Sequence, residues 1–344
     1  MRPVSVLIVD DSITARSLMT VALRRDPLIT VVGTAATAFE ARDMIMALKP
    51  DVLTLDVEMP QMNGLEFLEK IMTLRPMPVV MVSSHTRRGA DTAIRALEIG
   101  AVECYAKSVT RPGHSVYEDL PLVIHRAAKA HIRQTKKGED VRDFSPIIRN
   151  SELHSPLIAI GSSTGGVEAL SEVLRRFPVN CPPTVIAQHL PGAFSEGFAK
   201  RLDHLCAPKV RLAQHLAPVT QGEIVIAPGG ERHMEVVRRS GEIFTRLVER
   251  EPVNGHRPSV DVLFDSVAKF CGNHAVGIIL TGMGNDGAQG LLRMRRAGAY
   301  TIGQDESTCV VYGMPKAAYD IGAIDLQIPL KEITDSIFNK ISKL

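Results

Sequence analysis

The chain has 344 residues, enough for about two domains of ordinary size, each able to bury its own core. Hydrophobic residues make up 45% and charged residues 23%, a globular composition that excludes a disordered chain. Forty Lys/Arg against 38 Asp/Glu leave a net charge of +2, which removes any global electrostatic case for a nucleic-acid binder.

Val4–Val9 is the first apolar run. It is too short for a secretory signal and runs straight into Asp10-Asp11. Further runs follow at Val52–Leu55, Val79–Val82 and Ala101–Ala106, with helical spacing over Thr14–Arg24, Thr37–Leu48 and Gly64–Thr73 between them. Apolar runs alternating with amphipathic stretches predict a parallel α/β domain.

Each of these four runs ends in a polar residue: Asp10-Asp11, Asp56, Ser83-Ser84 and Lys107. In a doubly wound parallel sheet all strand C-termini lie along one edge, so these groups should converge. Three carboxylates there demand a cation, and oxygen ligands with room for water suit magnesium. A carboxylate beside Mg²⁺ is a fit phosphoryl acceptor, with Lys107 placed to pair the phosphate and the Ser83 hydroxyl to bond it. A single acid at a strand end is an ordinary helix cap, as Asp11 or Ser12 would be for the next helix; four such ends together point to a site.

The stretches Val6–Ser12, Leu55–Pro60 with Gly64, Val82-Ser83-Ser84 and Lys107 resemble a response-regulator receiver domain over about residues 1–120. The resemblance implies a flavodoxin-like fold and phosphoryl transfer from a chemotaxis histidine kinase onto Asp56, with Asp10, Asp11 and Asp56 holding the metal. Two positions depart from the pattern. Ser108 follows the lysine where proline is usual, and Cys104 stands where an aromatic switch residue often lies.

Around Leu122 to Asn150 the apolar rhythm stops, and Gln134–Asp140 is plainly hydrophilic. This reads as a solvated linker over 122–152 between domains 1–121 and 153–344. The rhythm resumes at Leu157–Ile160, Thr184–Ala187, Ile224–Ala227, Ala275–Leu280 and Tyr300–Ile302, now with glycines clustered after the runs.

Gly161-Ser162-Ser163-Thr164-Gly165-Gly166 follows the first of these runs and satisfies G-x-S-x-G, the pattern of a nucleophile on a sharp strand-to-helix turn. It matches neither the dinucleotide fingerprint nor the P-loop. His189 follows the next run and should share the same sheet edge, although a lone histidine there is more often structural. Asp286, in the glycine-rich turn after Ile278–Leu280, could hold the imidazole in the tautomer that accepts the serine proton. Glycines in that turn free backbone N–H groups for an oxyanion.

The order Ser, His, Asp differs from that of α/β-hydrolases. Instead Gly161–Gly166, Gln188–Pro191, Pro258–Phe264 and Leu280–Gly287 resemble the catalytic domain of the chemotaxis-type, CheB-like protein-glutamate methylesterases. That resemblance implies a Rossmann-like serine esterase with Ser163 as nucleophile, His189 as base, Asp286 as orienting acid, backbone donors at Thr164 and Met283, and no cofactor in this half. It implies methylated glutamates of chemotaxis receptors as substrates, with glutamine deamidation alongside.

Ser259 reads as the N-cap of a helix over Val260–Phe270, and Arg238-Arg239, Arg293 and Arg295-Arg296 as solvated basic faces. Cys104, Cys181, Cys206, Cys271 and Cys309 carry no C-x-x-C or zinc spacing and read as free thiols of a reducing compartment. No run approaches the ~18 residues of a membrane span. A soluble cytoplasmic protein with no membrane insertion and no nucleic-acid partner is expected. A receiver with a DNA-binding output and a nucleotide-binding output are the rival readings.

Overall fold

The computed structural model describes residues 2–83, 87–107, 117–132 and 156–342. Two compact units divide it, Met1–Gly138 and Glu139–Leu344. Ser84, Ser108 and most of the expected linker lie outside the described residues.

The first unit runs β1 (Val4–Val9), α1 (Ile13–Arg24), β2 (Ile29–Ala35), α2 (Ala38–Leu48), β3 (Val52–Asp56), α3 (Gly64–Leu74), β4 (Val79–Ser83), α4 (Arg87–Ile99), β5 (Glu103–Ala106) and α5 (Leu120–Ala127). Its sheet is parallel throughout, in the order β2-β1-β3-β4-β5. Every residue of β3 and β4 is buried, as strands covered by helices on both faces must be. Ser12 and Thr37 cap α1 and α2, accepting from the Ala15 and Glu40 N–H groups. The strand β2 has no counterpart among the expected runs. It is an edge strand, only partly covered, and Thr30, Gly33 and Thr34 interrupt its apolar character.

α5 spans residue 121, and Val123, Ile124 and Ala127 are buried in one cluster with Val6, Ile8 and Leu23. Arg126, the one Lys or Arg of this helix, is half-buried and pairs with Glu103 at 2.7 Å.

The second unit runs β6 (Leu157–Ser162), α6 (Gly166–Leu174), β7 (Thr184–Gln188), α7 (Gly192–Leu205), β8 (Lys209–Leu212), β9 (Glu223–Ile226), β10 (His233–Arg239), β11 (Glu242–Val248), α8 (Val260–Phe270), β12 (Ala275–Ile279), α9 (Ala288–Arg296), β13 (Tyr300–Gln304), α10 (Met314–Asp320), β14 (Leu326–Ile328) and α11 (Leu330–Ile341). Seven strands form a parallel sheet in the order β14-β13-β12-β6-β7-β9-β8. The five expected runs are its five inner strands; β8 and β14 are the short edges.

One departure from a purely parallel design is the antiparallel hairpin β10–β11, outside the main sheet. Ser240 and Gly241 both have positive φ at its tip, as a tight two-residue hairpin turn requires. Met234, Val236 and Ile243 of the hairpin share a core with Val260, Leu263, Phe264 and Val267 of α8. From β6 the chain winds outward through β7 to the β8 edge, then returns to β12 and winds the other way. The reversal between β6 and β12 leaves a crevice beyond their C-terminal ends, where ligands of such sheets bind.

Candidate functional site

After Ser162 the chain turns through Ser163, Thr164 and Gly165 into α6, with Gly165 at φ 77. The loop after β12 meets this turn: the Ser163 N–H donates to the Thr281 carbonyl at 3.0 Å. Gly282 is what permits the approach, since a Cβ there would stand 2.7 Å from Ser163 Cβ and 2.3 Å from Met314 Sδ. His189 follows β7 and donates its N–H to the Ser162 carbonyl at 3.1 Å.

Three side chains distant in sequence thereby meet at the crevice. Ser163 Oγ lies 3.0 Å from His189 Nδ1, and His189 Nε2 lies 2.8 Å from Asp286 Oδ2. All three are almost wholly buried. An ionised carboxylate only accepts, so Nε2 carries the ring proton, and Nδ1 of the neutral imidazole is left to accept from the serine O–H.

Asp286 is held from several sides. Oδ1 accepts from Ser259 Oγ (2.7 Å), Asn254 Nδ2 (2.9 Å) and the Asp261 N–H (3.2 Å), and Oδ2 also accepts from the Val260 N–H (2.7 Å). Two of these donors are backbone groups at the N-terminus of α8, where the helix favours negative charge. Burial alone would raise the Asp286 pKa, but the hydrogen bonds from His189, Asn254 and Ser259 outweigh it and hold the carboxyl well below the usual range. Asn254 also donates to Asp261 Oδ2 at 2.8 Å, and the His256 ring stacks on His189 with centroids 3.6 Å apart. Ser259 caps α8 as its position suggests, and bonds Asp286 as well. Thr164 follows Ser163 directly, and Met283 follows the glycine packed against it.

The first unit builds a second site at its own sheet edge. Carboxylate oxygens of Asp10, Asp11 and Asp56 lie within 4.8 Å of one another; Asp10 and Asp56 are buried and Asp11 is exposed. Lys107 Nζ bonds Asp10 Oδ2 and Asp56 Oδ1, both at 2.9 Å. Burial works against the Lys107 ammonium, yet the bonds to the two carboxylates outweigh it and raise its pKa. Burial, reinforced by the charge of Asp10 and opposed by Lys107, pushes Asp56 up to about 6. One lysine thus leaves the three acids with uncompensated negative charge, an environment that fits a hard divalent cation. Ser83 is fully buried beside them, its carbonyl accepting from the Lys107 N–H at 2.8 Å. Cys104, at the expected departure from an aromatic, donates its thiol to the Ala93 carbonyl at 3.2 Å. Tyr105, one position on, stacks on Tyr117.

The sequence model described as CheB methylesterase matches residues 158–337, and that of the response regulator receiver domain matches residues 6–113. A protein-glutamate methylesterase/protein-glutamine glutaminase of Rhizobium etli is 55% identical over 97% of this chain and 96% of its own. One of the same description from Caulobacter vibrioides is 53% identical over 98% of each. The chain belongs to the CheB methylesterase family. The CheB methylesterase catalytic domain of Thermotoga maritima, a crystal structure, matches 55% of this chain and 100% of its own at 34% identity, with a TM-score of 0.53.

In the second unit of this CheB-family chain Ser163, His189 and Asp286 come together; in the first unit Asp10, Asp11, Asp56 and Lys107 do, with Ser83 beside them. Sequence reading missed Asn254. Asn254-Gly255 did carry a turn signal, and both residues have positive φ. Nothing in the sequence says that this turn lies against Asp286.

Proposed function

We propose that the second unit hydrolyses γ-methyl esters of glutamate in chemotaxis receptors and deamidates glutamines there, and that phosphorylation of Asp56 raises this activity. The relatives' names support the reaction, and the hydrogen-bonded chain Ser163–His189–Asp286 at the switch point carries the assignment of residues.

Ser163 Oγ attacks the ester carbonyl carbon while its proton passes to His189 Nδ1. Ionised Asp286 steadies the imidazolium through Nε2. The Thr164 and Met283 N–H groups receive the carbonyl oxygen as it becomes negative. Collapse breaks the bond to the methoxy oxygen, which leaves as methanol with the proton from Nδ1. Water then repeats the sequence on the acyl-serine, giving glutamate and free Ser163. With a glutamine substrate the leaving group is ammonia.

In the first unit Asp56 is the phosphoryl acceptor, and a chemotaxis histidine kinase is the donor. Asp10, Asp11 and Asp56 would hold Mg²⁺, which when bound offsets the charge on the phosphoryl oxygens. Lys107 pairs the phosphate and the Ser83 hydroxyl bonds it, so a charge gain at Asp56 is read by neighbouring side chains. We place the protein in the cytoplasm; its five cysteines are free thiols.

The test is to quench turnover of a methylated receptor peptide in acid and weigh the peptide that contains Ser163. A mass increase equal to the acyl group is expected. Its absence during a methanol burst would remove Ser163 as nucleophile.

A further inference from the structure

We propose that Gln188 is a positioning residue that aims the Thr164 N–H at the developing oxyanion. This rests on Ser163 being the nucleophile and Thr164 an oxyanion donor.

Gln188 ends β7 and is 3% exposed. Its Nε2 donates to two carbonyls, those of Ser163 at 2.9 Å and His189 at 3.0 Å, and its Oε1 accepts from Ser162 Oγ at 2.6 Å. Two carbonyl partners fix which end of the amide is nitrogen. A buried amide serving only as filler need not spend both donors on these two residues. Gly166 leaves room for it, because a Cβ there would stand 2.1 Å from Gln188 Oε1.

The consequence lies on the other side of the peptide. A trans peptide unit is planar, with its C=O and N–H pointing in opposite directions. The Ser163 carbonyl is held by Gln188 Nε2 and by the Gly166 N–H at 2.8 Å. Holding it fixes the Thr164 N–H facing away from Gln188. The same construction recurs at the second candidate donor: the Gly282 carbonyl accepts from the Met314 N–H at 2.7 Å and the Gly313 N–H at 3.1 Å, so the Met283 N–H is set in turn. Both donor peptides are anchored by their carbonyl ends before substrate arrives, which is what electrostatic preorganisation requires. Of the anchors, only Gln188 is a side chain, and it alone also ties the peptide after His189.

Gln188→Met keeps the side-chain volume and removes both donors. The phosphorylated full chain is assayed on a peptide γ-methyl ester and on the matching thionoester, whose C=S sulfur accepts hydrogen bonds poorly. The methyl-ester kcat should fall about ten- to a hundredfold while KM moves less than about threefold. The thionoester should lose much less, having little oxyanion-hole stabilisation to lose. Equal loss on both substrates, or none on either, overturns the proposal. Should Gln188→Met fail to fold, Ser162→Ala loosens the same amide by removing its 2.6 Å bond. A smaller ester-selective loss is then expected, and a loss equal on both substrates overturns the proposal. Ester hydrolysis that survives Ser163→Ala would instead reject the underlying reading.

Discussion

Two carboxylates of the second unit, Asp286 buried and Glu168 half-buried, meet the cost of desolvation in opposite ways. Asp286 stays charged because donors surround it on both oxygens. Glu168, in the first turn of α6, is pushed up to about 7, by burial first and then by the charge of Glu172. A folded-state pKa above the ordinary 4.5 means that folding favours the protonated form, so stability is lost as pH rises from about 4.5 through about 7. Glu168→Gln removes that loss. Urea unfolding should show the variant more stable than the parent by about 1–3 kcal/mol at pH 8, with a smaller gain at pH 5. An equal gain at both values would contradict the burial argument. At this scale, residues with a strand immediately before them were legible. Ser163, His189, Asp56 and Lys107 follow or end apolar runs, and a parallel sheet sends all such ends to one edge. Asn254 and Gln188 were not legible in their roles, because each acts through partners that only folding brings near.

Among elements, the contact between the turn after β6 and the loop after β12 decides the site. Gly282→Ala should cut methyl-ester hydrolysis by about a hundredfold or more, because a Cβ 2.7 Å from Ser163 Cβ must displace one loop from the other. Far-ultraviolet circular dichroism should remain that of the parent. Activity retained within about threefold would show that the approach is not needed. The elements themselves were legible where strands are buried on both faces. β2 is half-covered and interrupted by Thr30, Gly33 and Thr34, so its sequence carries no continuous apolar run. α5 reads as the start of a linker because the basic, hydrophilic stretch that follows it sets the local composition, while its own apolar stripe of Val123, Ile124 and Ala127 is short. The hairpin β10–β11 breaks the alternation of strand and helix, and its one clear signal was Ser240-Gly241.

For the whole molecule, the phosphoacceptor pocket and the Ser163 crevice stand in separate units, so phosphorylation at one must alter the other through an equilibrium between states. A coupling of about 1–3 kcal/mol, roughly five- to 150-fold, is typical of such devices. If phosphorylation acts by relieving inhibition, the fragment 153–344 should demethylate receptors faster than the unphosphorylated full chain. A fragment no faster than that chain would leave direct stimulation as the route.

The claim on which the account turns is that Ser163 carries the hydrolysis. Methanol release from a methylated receptor, by the full chain supplied with Mg²⁺ and a phosphodonor, measures it directly. Ser163→Ala should lower the rate by at least about a thousandfold while Asp56 is still phosphorylated. A Ser163→Ala protein that keeps most of the parent rate would contradict the account.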